Sequence, residues 1–217
     1  MDLASLIDHT NLNQAAKNDD ILKLCDEASE WQFASVCVNP CYVALASKIL
    51  DGTGVKVCSV VGFPLGANVM SSKVYEAERA YQDGASEIDM VMNISDVKNG
   101  SYDLLRRDIA GVVRAVSNCK VKVILETCLL EDDEILKSCE AAVKAGAHFI
   151  KTSTGFSSGG ATVRHVQLIR NNIPMEIGVK AAGGIRDWKS AEELIIAGAN
   201  RLGTSRSVSI LKSSLAS

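Results

Sequence analysis

Short runs rich in β-branched residues alternate with longer segments of helical period along the whole chain. This alternation is typical of repeated βα units, in which helices cover a parallel sheet. The predicted strands are 5–10, 35–39, 56–62, 87–93, 121–127, 149–153, 177–181 and 201–205. Eight such units in 217 residues leave little chain for a second domain. We therefore predict an α/β protein in which residues 1–217 form a single-domain (β/α)8 TIM barrel.

An open, doubly wound sheet is the competing fold, but no G-x-G-x-x-G motif follows the first predicted strand. The composition is that of an ordinary globular protein, with 47% hydrophobic and 23% charged residues. A formal net charge of −3 gives no electrostatic reason to expect nucleic acid or an anionic membrane as partner. A small soluble ligand is the expected partner.

The N-terminal sequence MDLASLIDHTNLN lacks a basic segment followed by a long apolar one, and no window reaches the roughly 18 apolar residues of a membrane helix. We expect a cytoplasmic protein. None of the seven cysteines stands in a C-x-x-C pair, so reduced thiols are expected rather than disulfides or a zinc knuckle. His9, His148 and His165 have no partner at ligand spacing, and neither a metal nor another cofactor is predicted.

A weak internal repeat relates three helix-to-strand junctions, DGASEID, AGAHFIK and AGANRLG. Glycine suits the left-handed position just after a helix, which predicts equivalent helix ends at Gly84, Gly146 and Gly198. Five residues beyond each glycine stand Asp89, Lys151 and Gly203, on the fourth, sixth and eighth predicted strands. Alternate strands of a (β/α)8 barrel fill the same interior layer, so we expect the two charged side chains to meet near its C-terminal mouth.

Charged residues near the ends of apolar strands are the candidates for chemistry: Asp8, Asp89, Glu126, Lys151 and Lys180. A lysine freed of its proton can attack a carbonyl and form a Schiff base, and a carboxylate with a second lysine can relay protons through water. Alternatives remain open at each position. Lys151 could extend into solvent, Lys180 could bind phosphate, Asp89 could form a buried ion pair, Asp8 could cap a helix, and Glu126 could be a structural partner of a barrel lysine.

Two glycine-rich segments, KAAGGIRD (180–187) and RLGTSRS (201–207), end consecutive strands and lead into helices. Free N–H groups at a helix start attract anions, and barrels often hold phosphate after their seventh and eighth strands. The segment 153–162 could add backbone donors, and VVGFPLG (60–66) could shape the wall. None has P-loop spacing, so a nucleoside triphosphate is not implied.

The motifs LIDHTNL, SVCVNP, VCSVVGFPLG, EIDMVMN, FIKTSTGF, GVKAAGGIR and RLGTSRS together resemble the deoxyribose-phosphate aldolases, a family of class I aldolases. The resemblance implies cleavage of 2-deoxy-D-ribose 5-phosphate to acetaldehyde and D-glyceraldehyde 3-phosphate. It implies a Schiff base on Lys151, with Lys180 and Asp89 as proton relay and Asp8 nearby. The residues it places at the phosphate are Gly183, Gly184, Gly203 and Ser205.

The chain departs from some members of this family at two places. Arg206 stands where they carry a second serine, so a guanidinium is expected to share the phosphate. The sequence ends in LKSSLAS, without the terminal tyrosine that assists enamine protonation in some members, so water or another residue is expected in that role. We also place Thr10, Cys37 and Thr152 in the substrate pocket, with packing as the alternative for Cys37.

Two other functions fit the same barrel. A phosphosugar isomerase would use Asp89 or Glu126 as base without a covalent adduct, and a phospholigand binder would have no catalysis at all. The partners predicted are phosphosugar and aldehyde substrates and, by analogy with the family, a homodimer.

Overall fold

The structure, a computed structural model, describes residues 3–215. Eight parallel strands form a closed barrel in which each strand pairs with its neighbours in chain order and β8 pairs with β1. The strands are β1 (Ile7–Asn11), β2 (Ser35–Val38), β3 (Lys56–Val61), β4 (Glu87–Val91), β5 (Lys120–Ile124), β6 (Phe149–Lys151), β7 (Gly178–Ala182) and β8 (Arg201–Thr204). The predicted (β/α)8 barrel and its eight strand positions are confirmed.

Helices follow the strands and form the outer layer. They are α1 (Asn18–Trp31), α2 (Val43–Ile49), α3 (Met70–Gln82), α4 (Ile94–Lys98), α5 (Tyr102–Ala115), α6 (Asp132–Lys144), α7 (Val163–Arg170), α8 (Trp188–Ile196) and α9 (Ser207–Ser214). Short 3-10 turns occur at Ala4–Leu6, Pro40–Tyr42 and Thr127–Leu129. The first of these replaces the predicted start of β1. Within residues 3–215, every helix is too short or too polar to cross a membrane.

Side chains alternate along each strand between the inside of the barrel and the core between the sheet and the helices. On β4, Ile88 and Met90 belong to the main core between the sheet and the helices, whereas Glu87 and Asp89 are buried among polar groups inside the barrel. On β2, Val36 faces that main core and Cys37 lies in a small apolar cluster with Cys58. Because successive strand residues point to opposite faces, a charge between two aliphatic residues is placed inside the barrel.

The three repeated glycines end α3, α6 and α8 in the left-handed conformation, with φ of 105°, 89° and 112° at Gly84, Gly146 and Gly198. A Cβ at Gly84 would lie 2.1 Å from Oγ of Ser47, and one at Gly198 would lie 2.6 Å from Cγ of Arg170. Both the backbone conformation and the close packing therefore require glycine. The predicted equivalence of the three junctions is confirmed.

Candidate active site

Every strand contributes at least one titratable side chain to the barrel interior, and all of these residues are buried. They are Asp8 on β1, Cys37 on β2, Cys58 on β3, Glu87 and Asp89 on β4, Lys122 on β5, Lys151 on β6, Lys180 on β7 and Arg201 on β8. Burial of so many ionisable groups is costly unless they pair, and the charged ones do.

Asp89 is the centre of this cluster. Its Oδ2 accepts hydrogen bonds from Nζ of Lys151 at 2.8 Å and from Nζ of Lys180 at 2.7 Å. Its Oδ1 accepts from Nζ of Lys122 at 2.8 Å and from Sγ of Cys58 at 3.1 Å. Burial raises the pKa of the Asp89 carboxyl, but the charges of the three lysines outweigh burial and hold that pKa well below its ordinary value. Asp89 is therefore ionised at neutral pH.

Asp8 occupies an equivalent position on β1. Its Oδ2 lies 2.5 Å from Nζ of Lys180, and its Oδ1 accepts from Arg201 at 2.6 Å. Burial raises the pKa of Asp8, but Lys180, Lys122 and Arg201 together hold it below its ordinary value. The alternative of Asp8 as a helix cap is wrong, because Asp8 lies within a strand and both its oxygens are taken by cations.

Glu87 bridges Lys122 and Arg201, the cations that bind Oδ1 of Asp89 and Oδ1 of Asp8. Its Oε2 lies 2.6 Å from Nζ of Lys122 and 3.2 Å from Nη1 of Arg201. Six side chains thus form a closed circuit of alternating charge, which we call the charge ring: Asp89, Lys122, Glu87, Arg201, Asp8 and Lys180. The ring holds three cations and three anions and is neutral. Lys151 is attached to it at Asp89 as an additional cation.

The cations of the ring keep their protons. Burial lowers the pKa of Lys180, but Asp8 and Asp89 outweigh burial and raise that pKa above its ordinary value. Lys122 behaves in the same way, with burial opposed chiefly by Asp89, and its pKa is raised well above the ordinary value. Lys180 is therefore a cation that shares one carboxylate oxygen with Lys151.

A cavity of about 1030 Å³ opens at the C-terminal ends of the strands. Among the described residues of the charged cluster, only Lys151 lines the cavity. The six residues of the charge ring lie behind this lining. Other lining residues are Thr10, Gly183, Gly184, Gly203, Ser205 and Arg206. A small molecule in this cavity could contact both the lysine amine and the two glycine-rich loops.

The loop after β7 is shaped for close approach. Gly183 and Gly184 have φ of 85° and 80°, and a Cβ at Gly183 would lie 3.1 Å from Cα of Gly160. The following helix, α8, has its start occupied by Asp187, whose Oδ1 accepts from the backbone N–H of Ser190 at 2.8 Å. After β8, Ser205 and Arg206 immediately precede α9. The anion-attracting helix start that faces the cavity is thus that of α9.

The three residues predicted for the substrate pocket do not all line the cavity. Thr10 lines the cavity, and its hydroxyl donates to the Asp8 carbonyl at 2.9 Å. Thr152 lies behind the lining, where its hydroxyl bonds the backbone of Ala182 and joins β6 to β7. Cys37 is likewise behind the lining, with Sγ 3.9 Å from Oδ2 of Asp89. This position agrees with the alternative that Cys37 serves in packing.

Glu126 does not partner a barrel lysine, so that alternative is wrong. It follows β5 in the left-handed conformation with φ of 47°, and its buried carboxylate accepts from the hydroxyl of Thr154 and from the backbone N–H of Thr154 at 3.3 Å. The carboxylate therefore anchors the loop after β6. Phe156 of that loop meets Phe63 edge to face, with ring centroids 5.2 Å apart, which places the segment 60–66 beside the cavity.

The sequence reasoning missed Glu87, Lys122 and Arg201. A usable signal existed, because Glu87 precedes Asp89 by two residues and Lys122 stands between Val121 and Val123, so both share the interior face. It also missed Arg186, an exposed cation that lines the cavity after the glycine pair. All seven cysteines carry free thiols. Cys37, Cys58 and Asp89 have ligand atoms within 4.8 Å of one another, but both Asp89 oxygens already bind lysines.

The chain matches known aldolases over nearly its full length. The family model of the DeoC/LacD family aldolases matches residues 3–204. A deoxyribose-phosphate aldolase of Caldanaerobacter subterraneus subsp. tengcongensis is 54% identical over 215 residues, covering 98% of this chain and 93% of the relative.

Solved structures agree with this match. The structure of QR15, an aldolase, is 42% identical with a TM-score of 0.95 and covers 100% of this chain and 97% of that one. The deoxyribose phosphate aldolase of Aeropyrum pernix, described as a unique tetramer, is 36% identical with a TM-score of 0.92 and covers 98% and 91%. The chain therefore belongs to the DeoC/LacD family of aldolases.

Proposed function

We propose that this chain reversibly cleaves 2-deoxy-D-ribose 5-phosphate to D-glyceraldehyde 3-phosphate and acetaldehyde through a Schiff base on Lys151. The observation that carries the proposal is the position of Lys151, which lines the cavity while its amine hydrogen-bonds Asp89 of the charge ring. The relatives named deoxyribose-phosphate aldolase support cleavage over the isomerase and the phospholigand binder.

Charge balance supports Lys151 as the nucleophile. The charge ring is neutral, so a protonated Lys151 leaves the buried cluster with one uncompensated positive charge. Loss of the Lys151 proton removes this excess, and the remaining neutral amine has the lone pair that carbonyl attack requires. Lys180, which stays charged beside the same Asp89 oxygen, opposes a second positive charge there.

The reaction begins with attack of the Lys151 amine on the C1 aldehyde of the open-chain sugar. Loss of water gives a protonated imine, whose positive nitrogen is an electron sink. Asp89, acting through a bound water beside the charged Lys180, takes the proton of the C3 hydroxyl. The C2–C3 bond then breaks, its electron pair passes to the imine nitrogen, and C3 to C5 leave as D-glyceraldehyde 3-phosphate. Protonation and hydrolysis of the remaining enamine release acetaldehyde and restore the amine.

The substrate phosphate is assigned to the two glycine-rich loops that line the cavity together with Lys151. Backbone N–H groups of Gly183, Gly184 and Gly203, the Ser205 hydroxyl and the Arg206 guanidinium are its proposed partners, supported by their common place in the cavity lining. Binding the phosphate away from the reacting bond orients C1 toward the amine.

The Lys151→Ala variant tests the assignment. It removes the nucleophile, so we expect kcat to fall by at least about 10³-fold with the barrel still folded. Lys144→Ala is the matched control, because Lys144 is an exposed lysine of α6 paired with Glu140. Acetaldehyde release measured for both variants decides the matter. Ordinary turnover by Lys151→Ala, with Lys144→Ala also active, would contradict the Schiff base.

We further propose a cytoplasmic location. Free thiols at all seven cysteines are typical of a reducing compartment, which supports the cytoplasm. The homodimer stays a prediction from the family resemblance, and the Aeropyrum pernix relative is described as a tetramer.

A further inference from the structure

Glu87 lies at the bottom of the charge ring, one interior layer below Asp89 on the same strand. It is buried, does not line the cavity and touches neither Lys151 nor Lys180. Nothing in the proposed reaction uses it directly. Its contacts are Nζ of Lys122 at 2.6 Å and Nη1 of Arg201 at 3.2 Å.

These two cations each bind the Oδ1 atom of one aspartate of the site. Lys122 lies 2.8 Å from Oδ1 of Asp89, and Arg201 lies 2.6 Å from Oδ1 of Asp8. Glu87 is thus the residue that closes the circuit on the side away from the cavity. Without its charge, Lys122 and Arg201 would retain only the aspartates as anionic partners within the ring.

We propose that Glu87 is a positioning residue that keeps the charge ring neutral and thereby sets the pH at which the Lys151 amine becomes active. This inference rests on the proposed function. With Glu87 in place, the ring carries equal numbers of cations and anions, and a protonated Lys151 is the one uncompensated charge of the cluster. Neutralising Glu87 raises the net charge of the cluster by one. The Lys151 amine should therefore lose its proton at lower pH.

Other titratable groups lie near Lys151 or Glu87. In the barrel interior they are Asp8, Cys37, Cys58, Asp89, Lys122, Lys180 and Arg201, and Cys119 interacts electrostatically with Glu87. The cavity that Lys151 lines adds His9, Asp20, Lys23, Glu27, Arg186 and Arg206. Burial raises the pKa of Cys58, so its thiol is neutral. Hydrogen bonding to Cys58 lowers that of Cys37, and neither thiol contacts Glu87 in the described part of the chain.

The test is the pH profile of kcat/KM for deoxyribose phosphate cleavage in Glu87→Gln. We expect its acidic limb to move to lower pH by about one pH unit, the size that one charge produces through roughly 10 Å of protein. Lys122→Met removes a cation from the ring and should move the limb to higher pH. The double variant Glu87→Gln with Lys122→Met restores neutrality and should return the limb toward the wild-type position.

A matched control separates this effect from loss of any buried ion pair. Asp108→Asn neutralises a carboxylate that lies 2.6 Å from the fully buried Lys73, on helices outside the barrel interior. This variant should lose stability and keep the wild-type pH profile. KM at the pH optimum should change by less than about threefold in Glu87→Gln, because Glu87 does not line the cavity in which the substrate is proposed to bind.

Three results would overturn the inference: an unshifted acidic limb in Glu87→Gln, a shift to higher pH, or an equal shift in Asp108→Asn. If Glu87→Gln does not fold, comparison of Lys122→Met with the double variant measures the same charge in a second background, and equal profiles there would overturn it. Borohydride trapping on wild-type Lys151 separates the two hypotheses. An adduct there with no profile shift removes the Glu87 inference alone, whereas no adduct removes the proposed function.

Discussion

Ser205 and Arg206 differ in what they can offer to a phosphate. The serine hydroxyl supplies one hydrogen bond, whereas the guanidinium supplies a planar fork of charged donors that matches two phosphate oxygens. Both residues are exposed and line the cavity just before α9. The phosphate is on C5 of the substrate, away from the C1 aldehyde and the bond that breaks, so loss of either side chain should act on substrate affinity more than on bond cleavage.

Ser205→Ala is therefore expected to raise KM for deoxyribose 5-phosphate by roughly tenfold, with kcat within about threefold of wild type. Arg206→Met should raise KM further because it removes a charged donor pair. Unphosphorylated 2-deoxyribose is the control substrate, and its KM should be the same for all three proteins. An unchanged KM for the phosphorylated sugar in Ser205→Ala would exclude this turn from the phosphate site.

At the scale of elements, β8 is fitted closely against β7 inside the barrel. A Cβ at Gly203 would lie 2.9 Å from Cε of Lys180 and 3.1 Å from Cβ of Ala182. The Lys180 side chain has little room to move, since its amine is held by Asp8 and Asp89. Gly203 thus matters for where the Lys180 amine lies, in addition to its predicted backbone contact with phosphate.

Gly203→Ala should displace Lys180 and lower kcat by at least about tenfold, with a small decrease in Tm. Gly52→Ala is the matched control, because Gly52 has φ of 76° in a surface turn with open space around its Cα. It should cost about 1 kcal/mol of stability through backbone strain and leave kcat unchanged. Steady-state kinetics and thermal unfolding of both variants give the answer, and an unaffected kcat in Gly203→Ala would show that Lys180 tolerates displacement.

The strands were predictable because their signal is local. Alternation of β-branched runs with helical stripes located all eight, and the Gly-Ala junctions placed Asp89 and Lys151 in one layer, where their side chains lie 2.8 Å apart. The charge ring was not predictable in the same way. Arg201 meets Asp8 across 193 residues and Glu87 across 114. A charge at a strand start is usually solvated, and only closure of the barrel shows that these are buried.

For the whole molecule, the buried charge cluster ties stability to pH. Asp8 and Asp89 have folded-state pKa values below their ordinary value, so the unfolded chain takes up their protons first as pH falls. Their contribution to the free energy of unfolding is fully present above the unfolded pKa near ~4 and is lost as pH falls below it toward the folded values.

Chemical denaturation between pH 7 and pH 3 measures this linkage. We expect the wild-type free energy of unfolding to fall steeply below about pH 4, by up to roughly 1.4 kcal/mol per pH unit for each aspartate. Asp8→Asn should be less stable at pH 7, since it leaves Arg201 and Lys180 short of a partner, but its further loss on acidification should be smaller. Parallel curves for the two proteins would mean that Asp8 does not carry this dependence.

The most direct test of the account is reduction of the protein with borohydride in the presence of acetaldehyde or 2-deoxyribose 5-phosphate, followed by peptide mass mapping. Borohydride reduces a protonated imine to a stable secondary amine, so the reacting lysine keeps the substrate carbons. We expect one modified residue, Lys151, with Lys180 unmodified beside it. An adduct on Lys180, or no adduct on a folded protein, would contradict the assignment of Lys151 as the Schiff-base lysine.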